Sequence, residues 1–319
     1  MVRWAVLGSG WVVQHSFLPA LERAKSGRLE MVGSRQGSAN RLAQSLGIPS
    51  GSYQDVLENP RIDVVYVALP NHLHETWVLR ALQAGKHALA EKPLGLDVAS
   101  VDRMLEAART QGRFLWEAFA FPFRQQMAQV VRLLADGAIG RVRHLQTVFY
   151  SSIEDRANIR WERTMGGGAL YDVGCYPVHM AGYLFGESES AHAFTVVTRG
   201  VDVEVNGQVA YQDGRTLQFL AGLNRPYETW GQVLGATGRL LMTNPYHPTP
   251  TDRIVVRTAA GERDYPAAQG EVTFQCMVSH VNAAILGAEA PKHLTSESAL
   301  RTARTLERLR AETTVVARI

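Results

Sequence analysis

The sequence predicts two domains of different classes. Residues 1–118 are predicted to form an α/β domain with a doubly wound parallel sheet, and residues 119–319 an α+β domain with antiparallel strands. Apolar strand patterns alternate with helical patterns in the first part, which is typical of parallel sheets. Strand patterns separated by turn signals dominate the second part. The total of 319 residues suits two domains.

In the first part, the run 62–69 is almost entirely apolar and β-branched, as in a strand buried on both faces of a parallel sheet. Ser38 is predicted to cap a helix that ends at Leu46, with Gly47 as its C-cap. The other predicted strands are 2–7, 29–33, 87–90 and 114–116, and the other helices are 11–24, 74–84 and 97–110.

In the second part, Asn206-Gly207 and Asp213-Gly214 are turn signals, and the second is better placed between two strand-like runs. The predicted strands are 142–149, 193–198, 203–211, 216–223, 228–234 and 253–257. Helical patterns cover 125–135, 169–184, 272–286 and 296–311. A polar, irregular stretch and three glycines precede the helix at 169.

The composition excludes several classes of function. Hydrophobic residues make up 46% and charged residues 20%, as in globular proteins, and no apolar run is long enough to span a membrane. The net charge of +3 comes without a Lys/Arg block, so nucleic-acid binding is not expected. Cys175 and Cys276 lie far apart, and His72 and His74 have no cysteine or carboxylate cluster near them. We therefore expect a cytoplasmic protein without a metal site.

A glycine turn follows the first predicted strand. In Gly8-Ser9-Gly10, the first glycine permits a tight turn and the second allows a pyrophosphate to approach the backbone. The amide groups of the following helix start, from Trp11 and Val12, favour an anion. The alternative is a purely structural turn. Trp11 is expected either near a nicotinamide or in the core.

The end of the second strand distinguishes two dinucleotides. A carboxylate at this point binds the ribose 2′-hydroxyl of NAD, whereas a cation accommodates the 2′-phosphate of NADP. The sequence has Ser34-Arg35 there, and Glu30 falls too early in the strand. Arg35 can pair with a phosphate, and Ser34 can donate a further hydrogen bond. NADP is therefore favoured over NAD, unless Arg35 is an ordinary surface arginine.

The fourth predicted strand, 87–90, leads into Glu91-Lys92-Pro93, at the carboxyl edge of the sheet where such domains bind ligands. Partial desolvation lowers the pKa of a lysine and allows it to exchange a proton with a substrate hydroxyl. Pro93 is a candidate for a cis peptide bond. The alternative for Lys92 is a solvated residue at the end of a strand.

These motifs resemble the glucose-fructose oxidoreductase/inositol dehydrogenase (Gfo/Idh/MocA) family over essentially the whole chain. The resemblance is strongest in the branch of D-xylose and trans-dihydrodiol dehydrogenases. The segments that carry it are Gly8-Ser9-Gly10, Pro70-Asn71 with His74, 84–87, Ala90-Glu91-Lys92-Pro93-Leu94, Asn158-Ile159-Arg160, and the glycine run 166–168 with Asp172 and Tyr176. Pro122 and Arg124 depart from the family pattern, which leaves the exact substrate open.

The resemblance implies a Rossmann domain, an α+β second domain whose open, mainly antiparallel sheet commonly forms homodimers or higher oligomers, and specific roles for residues. Lys92 would be the catalytic lysine, and Tyr176 would occupy the acid/base position with Asp172 beside it. The cofactor would be lined by Pro70, Asn71, His74 and Glu91 as well as Lys92.

Together with this resemblance, the motifs imply an oxidoreductase, with NADP favoured over NAD, that acts on a sugar, polyol or cyclic diol. If 169–184 is one regular helix, Asp172, Tyr176 and His179 lie on one face. Arg160 and Trp161 precede this helix and form either a substrate loop or an ordinary surface loop. The alternative functions are a redox-neutral, NAD-dependent glycosidase-type enzyme and a non-catalytic regulator that senses dinucleotide.

Overall fold

The computed structural model describes residues 1–37, 39–267, 274–291 and 296–318. It divides the chain into two compact units. The first contains Met1–Ala120 and Val272–Ala299, and the second contains Phe121–Glu271 and Leu300–Ile319. The segment Val272–Ala299 thus joins the first unit, although a linear division after residue 118 assigns it to the second. Ser38, the predicted helix cap, lies outside the described residues.

The first unit has a parallel sheet, as predicted. Its strand order is β3-β2-β1-β4-β5-β6 among the described residues. Every residue of the central strand β4 is buried, which explains its apolar, β-branched sequence. The strands are β1 (Val2–Leu7), β2 (Gly27–Gly33), β3 (Ser50–Gly51), β4 (Val64–Val67), β5 (His87–Ala90) and β6 (Leu115–Glu117).

Helices connect these strands close to the predicted positions. The segment 11–24, predicted as one helix, contains a π-helical turn, Val13–Phe17, before α1 (Leu18–Ala24). The short α3 (Tyr53–Glu58) was not predicted, although Ser52 and Asp55 form a capping box at its start. The remaining helices are α2 (Asn40–Leu46), α4 (His74–Gln83) and α5 (Val98–Thr110).

Helix α8 (Gln275–Ile285) packs against α1 within the first unit. The buried indole of Trp4 donates a hydrogen bond of 2.8 Å to the Asn282 side chain. A Cβ at Gly27 would lie 2.8 Å from both Asn282 and Leu21, so this position has no room for a side chain. The segment that returns to the first unit is therefore held by a buried hydrogen bond between Asn282 and Trp4 within an otherwise apolar contact.

The second unit has a mixed, mostly antiparallel sheet. Among the residues the structure describes, the strand order is β14-β13-β12-β11-β7-β10-β9-β8-β15, with parallel pairing of β7 with β10 and β8 with β15. The sequence analysis missed β12, β14 and β15. The strands are β7 (Val142–Ser152), β8 (Ser188–Thr198), β9 (Val201–Tyr211), β10 (Thr216–Gly222), β11 (Asn224–Gly235), β12 (Gly238–Met242), β13 (Arg253–Thr258), β14 (Gly261–Pro266) and β15 (Thr313–Arg318).

The turn signal at Asn206-Gly207 does not form a turn, and the predicted strand 203–211 continues through it. Both residues lie inside β9, where Gly207 pairs with Phe219 of β10. A Cβ at Gly207 would overlap the buried Phe219 ring, so glycine is required there by close packing and not by a turn. The second predicted turn is confirmed: Gly214 has a φ of +81° between β9 and β10.

The second unit contains α6 (Gln125–Ala135), α7 (Cys175–Phe185) and, from Leu300 onward, α9 (Ser296–Ala311). The predicted helix at 169–184 is interrupted, because a π-helical turn, Leu170–Gly174, precedes α7. Across the described ranges, no helix is long and apolar enough to cross a membrane.

Candidate active site

The glycine turn after β1 is shaped by two different requirements. Gly8 has a φ of +103°, and a Cβ there would overlap the Ala68 carbonyl oxygen, so this position requires glycine. Gly10 is exposed and faces open space, with no heavy atom within 4 Å of a built Cβ. The backbone at Gly10 is therefore open to a ligand, as an approaching pyrophosphate requires.

Trp11 is 70% exposed, which excludes the core position considered from the sequence. Its ring stacks on His15 with centroids 4.8 Å apart. Val13, three residues after Gly10, is fully buried and starts the π-helical turn. The irregular helix start thus presents Trp11 outward while Val13 packs inward.

The end of β2 offers a cation and no competing carboxylate. Arg35 is exposed at the start of a single 3-10 turn. Ser34 is buried, and its hydroxyl accepts a hydrogen bond of 3.0 Å from the Ala39 amide. Glu30 forms an ion pair with Arg28. This arrangement can hold a phosphate at Arg35, and it matches the features that favour NADP.

His74 is fully buried between two backbone carbonyls. Its Nδ1 lies 2.9 Å from the Pro93 oxygen, and its Nε2 lies 2.8 Å from the Leu69 oxygen. Burial lowers the pKa of this imidazole. The ring therefore ties the end of β4 to the Lys92-Pro93 turn, which contains the predicted cis peptide bond.

The turn after β5 carries Glu91, which is predicted to line the cofactor, beside Lys92, the predicted catalytic lysine. Glu91 accepts a hydrogen bond of 2.5 Å from the hydroxyl of Tyr66. Tyr66 is fully buried and packs on Phe17, with ring centroids 4.5 Å apart. The carboxylate of Glu91 is thus oriented from within the core, whereas Lys92 is half-buried.

Glu117 is a functional candidate that the sequence analysis missed. It ends β6, it is buried, and its Oε1 accepts a hydrogen bond of 2.8 Å from the Leu94 amide. Burial raises the pKa of this carboxyl to about 8, with the Lys92 charge acting in the opposite direction. The available signal was a glutamate at the carboxyl end of a buried strand, where ligands bind in such sheets.

The glycine run before α7 is required by sterics. Gly166 has a φ of +77° and Gly168 a φ of +116°, and a Cβ at Gly167 would lie 2.5 Å from the Arg160 carbonyl oxygen. A Cβ at Gly168 would overlap the carboxylate of Asp202. Asp202 in turn accepts a hydrogen bond of 2.6 Å from the Leu170 amide. The run thus lets a carboxylate from β9 cap the start of the helix.

Asp172 forms an ion pair with Arg160. The Arg160 Nε donates to Asp172 Oδ2 at 2.6 Å, and the Asp172 side chain is 15% exposed. The adjacent Trp161 is buried, and its indole donates to the Ile153 carbonyl at 3.2 Å. Trp161 therefore anchors the irregular stretch, which holds Arg160 against Asp172.

Tyr176 lies in an aromatic cluster of the second unit. Its ring centroid is 5.1 Å from that of Phe149, 5.3 Å from Tyr246 and 5.5 Å from His247. Tyr246 is fully buried, and its hydroxyl lies 2.8 Å from that of Thr147. The half-buried phenol of Tyr176 is thus held on three sides by rings.

His179 is a core residue. Its Nδ1 lies 3.0 Å from the Thr302 hydroxyl, and its ring meets Phe121 edge-on with centroids 5.6 Å apart. Burial lowers the pKa of His179 to about 3, so the imidazole is neutral. Because the π-helical turn interrupts the helix between Asp172 and Tyr176, the regular spacing assumed for a common face does not hold.

A cavity of about 780 Å³ lies in the second unit and contains none of the predicted site residues. Its lining includes His144, Gln218 and Arg308. Within the described part of the chain, no three histidine, cysteine, aspartate or glutamate side chains group as a metal site would.

A parallel sheet in this order, with an open glycine turn after β1 and a cation after β2, is typical of a dinucleotide-binding protein. Two family models match the chain: the oxidoreductase family with an NAD-binding Rossmann fold over residues 2–119, and the GFO/IDH/MocA C-terminal domain over residues 127–241. The chain belongs to the Gfo/Idh/MocA family, and the predicted resemblance is confirmed.

Named relatives act on sugars. A dTDP-3,4-didehydro-2,6-dideoxy-alpha-D-glucose 3-reductase of Actinomadura kijaniata is 34% identical over 97% of this chain and 95% of its own length. A D-xylose 1-dehydrogenase (NADP(+)) of Haloferax volcanii is 30% identical over 84% of this chain and 82% of its own length. Both support an oxidoreductase, as predicted.

The fold matches a solved 3-ketoreductase from Actinomadura kijaniata in complex with NADP and TDP-benzene. The TM-score is 0.93 at 31% identity, and the match covers 99% of both chains. Further structures of that reductase, also with NADP and TDP-benzene, carry a tyrosine-to-phenylalanine or a lysine-to-alanine substitution.

Proposed function

We propose that this chain is an NADP-dependent oxidoreductase that acts on a hydroxyl-bearing carbon of a sugar or a related polyol or diol. The observation that carries the proposal is the presence of both an open backbone at Gly10 and an exposed Arg35 at the same edge of the sheet. The acid on β2, Glu30, already forms an ion pair with Arg28. When bound, NADP accepts hydride from the alcohol carbon or, as NADPH, donates it to the carbonyl. The NADP complex of the similar reductase supports this choice.

We assign proton transfer with the substrate hydroxyl to Lys92 and Tyr176. Either an amine or a phenol can exchange the proton that an alcohol loses when its carbon is oxidised. The lysine and the tyrosine substituted in the similar reductase are separated by as many residues as Lys92 and Tyr176, which supports the assignment. The cofactor roles of Ser9, Pro70 and Asn71 remain predictions from the family resemblance.

Asp172 is assigned to orienting a substrate hydroxyl, because its carboxylate is held by Arg160 at 2.6 Å. Trp161 and His179 are assigned to packing, since both side chains are buried and bonded within their own unit. His74 acts on the turn at Pro93 through its ring nitrogens. Its predicted role near the cofactor would therefore be exerted through that turn.

The reaction is tested by the absorbance of reduced nicotinamide when the protein is mixed with NADP⁺ or NAD⁺ and a panel of aldoses, polyols and cyclic diols. We expect a signal with NADP⁺, a loss of at least a hundredfold in turnover for Lys92→Ala, and dinucleotide affinity within several-fold of the wild type. The matched control is the substitution Lys25→Asn. Lys25 is an exposed lysine, and its backbone has a φ of +57°. Equal loss of turnover and affinity would contradict a chemical role for Lys92.

Cofactor choice is tested separately with Arg35→Ala. Removal of a charge-assisted phosphate contact is expected to weaken NADP⁺ binding by roughly 10- to 100-fold, with little change for NAD⁺. Arg23→Ala, at an exposed position of α1, is the control. A parallel loss for both dinucleotides would show that Arg35 does not contact the 2′-phosphate.

We also propose that the second unit forms a homodimer through its nine-stranded sheet, and that the protein works in the cytoplasm. Phe194 on β8 is 40% exposed and Val316 on the paired strand β15 is 59% exposed, which supports an apolar contact on this sheet. Cys175 and Cys276 do not form a disulfide in the described structure, as is common in a reducing compartment. Light scattering during size exclusion tests the dimer, with a monomer mass as the contrary result.

A further inference from the structure

Glu117 stands beside the turn that carries Lys92. In the parallel pair β5–β6, Glu117 is in register with Ala90, two residues before Lys92. The Ala118 amide donates to the Ala90 carbonyl at 2.8 Å and continues the pairing past the strand end. The backbone therefore fixes the carboxyl of Glu117 next to the Glu91-Lys92-Pro93 turn.

The two oxygens of this carboxyl have different surroundings. Oε1 accepts the Leu94 amide hydrogen at 2.8 Å and so holds the turn on its far side. Oε2 is buried without a hydrogen-bond partner among the residues the structure describes, and Glu117 as a whole is 4% exposed. A buried carboxyl in this condition favours its neutral form.

The charged groups that act on Glu117 come from the same turn. The Lys92 cation favours ionisation of Glu117, and the Glu91 carboxylate disfavours it. Glu91 is itself held by Tyr66. On α5, which packs on β6, the acids Asp102 and Glu106 are both exposed, and Glu106 is paired with Arg109.

We propose that Glu117 is a positioning residue for Lys92: one oxygen anchors the turn, and the other places a titrating carboxyl beside the lysine, so that the ionisation of Lys92 depends on that of Glu117. Neutral Glu117 leaves Lys92 able to lose its proton, and ionised Glu117 holds Lys92 as the ammonium ion. The meaning of this coupling for turnover rests on the proposed function, but the coupling itself does not.

The coupling can be measured without any substrate, because the chain has four lysines, Lys25, Lys86, Lys92 and Lys292. The wild type and Glu117→Gln are pulsed with acetic anhydride across a pH series, and acetylation of each lysine is read by peptide mass spectrometry. Glutamine keeps the acceptor for Leu94 and removes the titration. Glu106→Gln is the matched control, and exposed Lys25 is the internal reference.

We expect equal acetylation of Lys92 in the wild type and Glu117→Gln at about pH 6.5, where Glu117 is neutral in the wild type. At about pH 9.5, we expect Lys92 to be acetylated roughly tenfold faster in Glu117→Gln than in the wild type. In the wild type, the adjacent Glu117 anion raises the pKa of the Lys92 amine by about one unit or more, so less of the amine is in the reactive neutral form. Superimposable profiles at both pH values would overturn the proposal, even if turnover is observed.

The wild type alone provides a second measurement if Glu117→Gln does not fold. Its Lys92 profile is expected to depart from a single-group titration near pH 8, where the pKa of Glu117 lies, while Lys25 follows a single-group curve. A single-group curve for Lys92 overturns the proposal. If the coupling is found but no sugar, polyol or diol is turned over, the proposed function fails and the inference stands.

Discussion

Glu117→Gln is expected to change how the stability of the first unit depends on pH. Burial raises the pKa of Glu117 from 4.5 to about 8, so the folded protein holds a proton that the unfolded chain releases. The stabilising contribution of wild-type Glu117 is therefore complete below about pH 4.5 and is lost as the pH rises toward 8. Glutamine has no such proton and shows no such loss.

The magnitude follows from the shift. Each pKa unit corresponds to about 1.4 kcal/mol, so the full shift has a ceiling of roughly 5 kcal/mol. Between about pH 5.5 and pH 8.5, the free energy of unfolding of the wild type is expected to fall by about 3 kcal/mol relative to Glu117→Gln. The isosteric amide keeps the bond from Leu94, so little difference is expected at the acidic end.

Urea unfolding followed by tryptophan fluorescence measures this difference, with Trp116 adjacent to the substituted residue. Glu106→Gln, at an exposed position of α5, corrects for a general change in charge. A difference between wild type and Glu117→Gln that stays constant over this pH range would refute the reasoning, because it would mean that Glu117 ionises normally in the folded state.

Two further substitutions, one in each unit, test the internal packing. Gly207→Ala is expected to destabilise the second unit by about 1–3 kcal/mol, because the new methyl group meets the buried Phe219 ring, and Phe219→Leu in the same chain should recover part of the loss in a thermal melt. Asn282→Ala should cost the first unit about 1–3 kcal/mol by leaving the buried Trp4 indole without its acceptor; unchanged Trp4 emission and unchanged melting would contradict this.

The fold of the first unit was predictable because its signals are local. An apolar, β-branched run predicted β4, and Gly47 and Gly85 adopt the positive φ values expected at the ends of helices. The predicted Rossmann class and family are confirmed by the sheet order and by the family models. The predicted roles of individual residues are not tested by these findings and stay predictions.

The errors arose where distant residues decide the local structure. Gly207 reads as a turn residue, but the ring of Phe219 on the neighbouring strand explains it. The edge strand β15 gains its pairing from β8, which its own apolar pattern does not reveal. The helix predicted at 169–184 contains a π-helical turn whose start is capped by Asp202 from another strand.

The same physical reason explains why the support of the candidate site escaped the sequence. The predicted chemical residues Lys92 and Asp172 lie in turns whose backbone is held from elsewhere: the His74 ring reaches the Pro93 carbonyl, Glu117 accepts the Leu94 amide, and a β9 carboxylate accepts the amide at the start of the π-helical turn. None of these partners adjoins its target in sequence. A motif therefore identifies residues that can do chemistry, whereas the buried polar groups that fix their positions are found only from long-range contacts in the structure.

Glu117 differs from the other supporting residues, because its second oxygen is buried with no hydrogen-bond partner in the described chain and so retains a proton. This is why it, and not His74, is the support expected to influence the ionisation of Lys92 as well as its position.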